Sequence, residues 1–474
     1  MLGKIRRIHF VGIGGAGMSG IAEVLLNLGF TVSGSDTRLT VVTERLASLG
    51  AQIHEGHAAA NLRDAQVVVV STAVKADNPE VAEAHLRQIP VIPRAEMLAE
   101  LMRMKFSVAV AGAHGKTTVT SMIGLMLAEA GLDPTVVIGG RLDAFGSGAR
   151  LGRSELMVVE ADESDRSFLY LLPSIAVVTN VDREHLDHYR DLEEIAAAFV
   201  SFVNKVPFYG AVVACVDPPW RERFQGLLPQ LRRRLVTYGI EIGADVTAHA
   251  LELKPAGASF EVEARGKSLG RFEINVAGRH NVQNALAAVA VGLELDLTAD
   301  QIRTGLRDFR GADRRFQVKA EVLGITVVDD YGHHPTEIRA TLEAAALRGA
   351  RRIWVVFQPH RYTRTQALMD EFAYCFEFCD RVYVLDIYPA SEQPIPGITS
   401  ERLVERMHEL GFGRARYAPS SEAVIQEVLA EMQPGDLILT VGAGSVWQIG
   451  EALGKAVRER ANTAEGEPKA PEAH

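Results

Sequence analysis

Short runs of Val, Ile, Leu and Ala recur along the chain, each closed by Gly, Asp, Asn or Thr. They include IHFVGI from Ile8, VVVVSTA from Val67, SVAVAGA from Ser107, LMVVEAD from Leu156, IAVVTN from Ile175, IWVVFQ from Ile353, RVYVLD from Arg381 and LILTVGAG from Leu437. Continuous apolar runs of this length predict strands covered on both faces, as in a parallel sheet wrapped by helices. Stretches with helical spacing, such as MSGIAEVLLNLG after Gly17, lie between them. From Val246 to Val276 the pattern alternates (FEVEARGKSLGRFEINV), which predicts antiparallel strands. Strand starts that follow helical stretches divide the chain into three α/β units over residues 1–105, 106–312 and 313–460. The polar, Pro-containing segment 461–474 predicts a disordered tail.

Composition narrows the class. Hydrophobic residues make up 47% of 474, enough for a core in each unit. A net charge of −10 argues against a nucleic-acid surface. The three cysteines, Cys215, Cys375 and Cys379, form no metal-ligand spacing and predict reduced thiols. Cys375 and Cys379, four apart, predict one packed helix face. The N-terminus runs straight into a strand and turn, unlike a signal peptide. No apolar run reaches the roughly 18–20 residues of a membrane span. The expectation is a cytoplasmic protein with small-molecule partners, no nucleic acid and no membrane, as a monomer or weak homodimer.

Two glycine-rich loops carry the candidate chemistry. Gly12-Ile13-Gly14-Gly15-Ala16-Gly17 follows a strand, opens a helix and fits G-x-G-x-x-G, with Asp36 about 20 residues on. Glycines admit a diphosphate to the backbone, and a helix N-terminus supplies N–H groups and partial positive charge. A nicotinamide dinucleotide and a UDP-sugar share that diphosphate and ribose, so this loop does not choose between them.

The second loop, Gly112-Ala113-His114-Gly115-Lys116-Thr117-Thr118, also joins strand to helix. The long phosphate-loop form fails because Val110 stands where its first glycine belongs, but the G-K-T core survives. Its backbone N–H groups cradle phosphates, Lys116 reaches the β/γ oxygens and the Thr117 hydroxyl is placed for Mg²⁺. Glu160 and His185 follow two further strand ends, where a parallel sheet gathers ligands. Thr117, Glu160 and His185 are therefore the candidate metal ligands; the other acids of EADESD are left unassigned as a solvated turn. In the last unit, DDYGHHP at Asp329 and PHRYTRT at Pro359 also follow strands. They offer His333, His334 or Asp330 as a base and His360, Arg361 and Arg364 as partners for a carboxylate.

With the shortened GKTT loop, GRHNVQNALAA at Gly278, RRFQ at Arg314 and DDYGHHPTE at Asp329 standing in order, the chain resembles the Mur ligases. The resemblance covers nearly the whole chain. It implies an α/β protein of three domains: an N-terminal Rossmann-like sheet for a UDP-sugar, a central P-loop ATPase-type sheet and a C-terminal Rossmann-like sheet that takes the amino acid and closes over the nucleotide. It implies an ATP- and Mg²⁺-dependent ligase that activates the carboxylate of UDP-N-acetylmuramate as an acyl phosphate and passes it to an amine. It places ATP on residues 112–118, with Asn281, Asn284, Arg315 and Asp330, and UDP on Gly14, Gly15, Ala16, Gly17, Met18, Ser19, Asp36, Ser71 and Thr72. Lys116, Glu160, His185, Asp330 and His333 are the implied catalytic set. His333, His334, His360, Arg361 and Arg364 are the implied amino-acid contacts. No lysine stands about 15 residues past His185, where several members carry a carbamylated one; Lys205 is too far along. This version resembles the branch that adds L-alanine, and the branch that adds a preformed wall tripeptide is the alternative. A nicotinamide oxidoreductase leaves GKTT and HNVQN without a role, and an ATP-hydrolysing switch leaves DDYGHHP and HRYTRT incidental.

Overall fold

The computed structural model describes residues 4–466 apart from 72, 76, 143–146, 186–187, 219–225, 227 and 241–242. Thr72 thus lies outside the described residues. Packing divides the chain into two compact units, residues 1–251, 260–274 and 282–312 in one and 252–259, 275–281 and 313–474 in the other. Among the described residues, no helix is long and apolar enough to cross a membrane.

The apolar runs form the strands they predict. Arg7–Val11 is the centre of a five-stranded sheet ordered Gln52–Glu55, Thr31–Asp36, Arg7–Val11, Val67–Val70, Val91–Pro93, parallel throughout. Phe106–Ala111 lies within a ten-stranded sheet, between Ile175–Val178 and Leu156–Glu160 and parallel to both. The alternating segment supplies that sheet's far edge as Val246–Lys254, Gly257–Ala264 and Lys267–Ile274. Their two-residue links suit antiparallel neighbours alone.

Helix Lys116–Glu129 follows the second glycine-rich loop and is buried at every position from Thr117 to Leu127. An all-round apolar helix needs cover on every side. Helix Ala299–Asp308 supplies part of it, so close that a Cβ on Gly305 would stand 2.5 Å from Met126 Cα.

The second unit carries a six-stranded sheet ordered Gln317–Val322, Ile325–Asp330, Asp436–Val441, Arg352–Phe357, Arg381–Val384, Ala415–Tyr417. Its first pair is antiparallel and the remainder parallel. Two expectations change here. The last helix runs Trp447–Gly466, past Ala461 where the tail was expected to begin, and residues 467–474 lie outside the described part. Helix Met369–Tyr374 stops just before Cys375, so Cys375 opens the following turn and Cys379 lies just past it, both thiols buried in the core.

Candidate active site

Every glycine-rich or acidic motif lies at the C-terminal end of a parallel strand, where loops converge. At the first, Gly12 takes φ +79° and the Gly14 amide donates to Asp36 Oδ2 at 2.8 Å. A cleft of about 610 Å³ opens there, lined by Gly12, Gly14, Gly15, Asp36 and Ser71. His57, Lys75 and Asp77 also line it, and no spacing rule singled them out. The expected set divides. Ala16, Gly17, Met18 and Ser19 belong to helix Ala16–Asn27. Met18 is core, and the Arg94 guanidinium fills the space a Gly17 side chain would need.

Beneath the cleft lies a buried polar network. Glu80, fully buried, accepts from Ser35 Oγ at 2.5 Å and Asn61 Nδ2 at 2.6 Å, with His9 Nε2 at 3.6 Å. Because the Ser35 proton goes to Glu80, Ser35 Oγ accepts from His57 Nδ1 at 2.8 Å. Burial opposes the Glu80 charge, but His9 and the hydrogen bonds from Ser35 and Asn61 outweigh it. They hold the carboxyl down at about 2.

At the second loop, Gly112 has φ +138° and Gly115, at φ +84°, caps helix Lys116–Glu129. Asn284 Oδ1 would stand 2.6 Å from a Cβ on Gly115, so the asparagine borders the loop. Thr179 and Asn180 hold the backbone of His114, the latter through the His114 amide at 2.8 Å and carbonyl at 3.0 Å. Thr117 Oγ1 is 3.1 Å from both oxygens of Glu160. Thr118 is buried.

Lys116 Nζ donates to the Gly112 and Ala113 carbonyls and to Glu163 Oε1, at 2.7, 3.2 and 2.7 Å. Burial works against its charge, but Glu163, Glu184 and Asp162 prevail and keep it protonated far into the alkaline range. His185, in left-handed backbone at φ +56°, brings Nε2 to 3.2 Å from Glu163 Oε1 and 3.7 Å from Glu184 Oε2. Burial lowers its basicity, yet the two glutamates raise it overall. Glu163 thus joins a cluster that the acidic run did not reveal.

In the second unit the paired acids Asp329 and Asp330 serve different neighbours. Asp329 holds Arg314 Nε at 2.8 Å and Thr440 Oγ1 at 2.7 Å, and Arg314 also donates to the Gly442 carbonyl. Asp330 accepts from the amides of Phe316 and Gly332, both at 2.7 Å. Burial raises its carboxyl, against the pull of Arg315 and those two amides. Arg315 reaches towards Glu337 at 3.7 Å and lies over the Tyr331 ring. Asn281 donates to the Ala277 carbonyl at 2.7 Å. His334, expected at the amino acid, has its Nδ1 accepting from Thr336 N, so it caps helix Pro335–Ala346 in a box with Glu337.

Aromatic contacts gather the remaining candidates. The His333 and His360 rings are 5.7 Å apart, and His360 stacks on Tyr388 at 5.6 Å. Arg364 Nη1 donates to His360 Nδ1 at 3.0 Å, and Arg361 lies 3.8 Å from Glu392. Tyr388 and Glu392 lie in a loop without any recognisable spacing.

Family profiles match in chain order. Residues 7–106 match the Mur ligase family catalytic domain, 110–292 the Mur ligase middle domain and 314–444 the Mur ligase glutamate ligase domain. The chain belongs to the Mur ligase family. Relatives that this Mur ligase resembles include a UDP-N-acetylmuramate–L-alanine ligase of Solibacter usitatus, 57% identical with 97% of each chain covered. One of the same description from Syntrophotalea carbinolica is also 57% identical, over 97% of this chain and 100% of its own. The crystal structure of a UDP-N-acetylmuramate–alanine ligase from Thermotoga maritima aligns at TM-score 0.79 and 28% identity, covering 96% and 99%. The family's three-domain α/β fold is therefore established for this chain.

Proposed function

We propose that this Mur ligase joins L-alanine to the carboxylate of UDP-N-acetylmuramate through an acyl phosphate, converting ATP to ADP and phosphate. Carrying the proposal is the Lys116–Thr117 phosphate loop beside Glu160, in a chain aligned almost end to end with the alanine-adding relatives. A carboxylate is a poor electrophile because oxide is a poor leaving group. Phosphorylation supplies a good one, and the protein's contribution is positioning and charge. The amides of residues 112–118 and the Lys116 ammonium take the triphosphate. Thr117, Glu160 and His185 suit Mg²⁺, given one hydroxyl, one carboxylate and one imidazole at adjoining strand ends. When bound, the metal neutralises phosphoryl charge.

The cleft at Gly14, Gly15, Asp36 and Ser71 takes the uridine diphosphate. Arg361 and Arg364 hold the carboxylate of L-alanine, and His333 accepts the proton its ammonium must lose before attack. Asn281, Asn284, Arg315 and Asp330 serve the nucleotide. Three free cysteines accord with a cytoplasmic setting.

The test is phosphate release with ATP, Mg²⁺ and UDP-N-acetylmuramate, supplied in turn with L-alanine, L-serine, glycine and the wall tripeptide. Release that needs the sugar nucleotide and is fastest with L-alanine is expected. Release with the tripeptide alone moves the protein to the recycling branch. Release that ignores the sugar nucleotide overturns the assignment.

A further inference from the structure

Glu80 decides where one proton of the first cleft sits. Its carboxyl, held at about 2, is an ionised acceptor at neutral pH and has no proton to give. Ser35 Oγ therefore donates to Glu80 Oε2 at 2.5 Å, and His57 Nδ1 donates to Ser35 Oγ at 2.8 Å. Glu80 Oε2 also lies 3.4 Å from His57 Nδ1, so both neighbours of that nitrogen demand a proton on it. A neutral imidazole carries one N–H. With Nδ1 protonated and turned inward, Nε2 is bare and lies on the opposite edge of the ring. His57 lines the cleft, and its side chain is 22% exposed. The edge it offers a ligand is thus an acceptor.

The cleft crosses the ends of neighbouring strands. Gly12 and Gly14 follow Arg7–Val11, Asp36 ends Thr31–Asp36, and His57 follows Gln52–Glu55. Uracil carries an N–H at N3, where cytosine carries a lone pair. We propose that His57 selects the base of the bound nucleotide, its bare Nε2 accepting the uracil N3–H, and that Glu80 and Ser35 are positioning residues that hold the ring in this accepting tautomer. The proposal rests on the uridine diphosphate reading of the cleft and adds the means of choosing the base. Cytosine would set one lone pair against another and leave both without a donor.

Glu80→Gln reverses the chain of donors. Glu80 Oε1 accepts from Asn61 Nδ2 at 2.6 Å and from the Ala58 amide at 3.4 Å, and Asn61 Nδ2 is oriented by the Gly56 carbonyl at 3.2 Å. The glutamine oxygen stays with those donors, which turns its NH₂ towards Ser35. Ser35 then donates to His57 Nδ1, and the ring exchanges its proton with solvent to carry it on Nε2.

The test uses the full chain at pH 8, well above the roughly 6.5 of a free imidazole, with UDP and CDP as calorimetric probes. Wild type binds UDP about tenfold or more tighter than CDP, and Glu80→Gln brings the two within about threefold. His57→Phe, which has no acceptor, also removes the preference. Nitrogen NMR of histidine-labelled protein, with His57 assigned by its loss in His57→Phe, shows Nδ1–H and bare Nε2 in wild type and the reverse in Glu80→Gln. Equal affinity for UDP and CDP in wild type overturns the inference, as does an Nε2–H tautomer there or a UDP preference that survives His57→Phe. None of these needs Glu80→Gln, so they decide the matter if circular dichroism shows that variant unfolded. A folded Glu80→Gln that keeps the wild-type preference overturns it too. Binding of neither nucleotide strikes the uridine reading instead.

Discussion

Replacing Glu80 by Gln tests the buried network under the first cleft. The carboxyl sits at about 2, against about 4.5 for an ordinary glutamate. That difference corresponds to about 3 kcal/mol favouring the folded state, at about 1.4 kcal/mol per pKa unit. The sign follows from the lowered value. The stabilisation is fully present above about 4.5 and is lost as pH falls towards about 2, where the folded carboxyl takes up its proton. Glu80→Gln keeps the shape and removes the charge facing His9, Ser35 and Asn61. Because a multidomain chain does not unfold as one unit, hydrogen exchange on peptides covering Arg7–Val11 and Thr31–Asp36 is the suitable reporter. At pH 7 the variant's slowest amides there exchange up to about 100-fold faster than wild type, the equivalent of about 3 kcal/mol. At pH 3 the gap narrows, since wild type has by then lost part of the same stabilisation. Equal protection at pH 7, or a deficit of the same size at both pH values, refutes the reasoning.

Lys116→Met lowers sugar-dependent phosphate release by roughly 10²–10³-fold, the range for one electrostatic contact to a reacting group, as initial rates will show. Gly112→Ala must hold φ near +138°, overlap Thr179 Oγ1 and press on the Asn180 amide at 3.0 Å, so it costs about 1–3 kcal/mol and lowers the melting temperature. Arg364→Ala raises KM for L-alanine by about tenfold or more and kcat changes less, since a charged hydrogen bond contributes about 1.5–3 kcal/mol. Burial pushes the Cys215 and Cys379 thiols up to about 12. Thiolate therefore appears only as pH nears that value. At pH 8 a disulfide reagent labels neither thiol in native protein, yet labels both in urea.

The strand plan was legible because strands buried on both faces must be apolar at nearly every position, and such runs stand out between turn residues. The GKT loop was legible because phosphate binding demands glycine, lysine and a hydroxyl in a fixed local order. Glu163 was not. It lies in EADESD, where Asp162 and Asp165 each accept the amide two residues on, from Ser164 and Ser167, while Glu163 turns inward. Which acid turns inward depends on Lys116 and His185, distant in sequence. His57 reaches the first cleft from one loop and Lys75 and Asp77 from another, with no motif linking the two. His334 read as a second ligand beside His333, but its position immediately before Pro335 is the cap of a helix. Met18 read as part of a phosphate loop, although an apolar side chain on the first turn of a helix against a sheet goes to the core.

The all-round burial of helix Lys116–Glu129 bears on how the protein is made. Part of its cover, helix Ala299–Asp308, is synthesised about 170 residues later. At about 5–20 residues per second, the apolar helix waits roughly 10–30 s on the ribosome before that partner exists. During that interval the face of the helix that meets Ala299–Asp308 is without that cover. A gene fragment ending before residue 299 encodes this helix without that part of its cover.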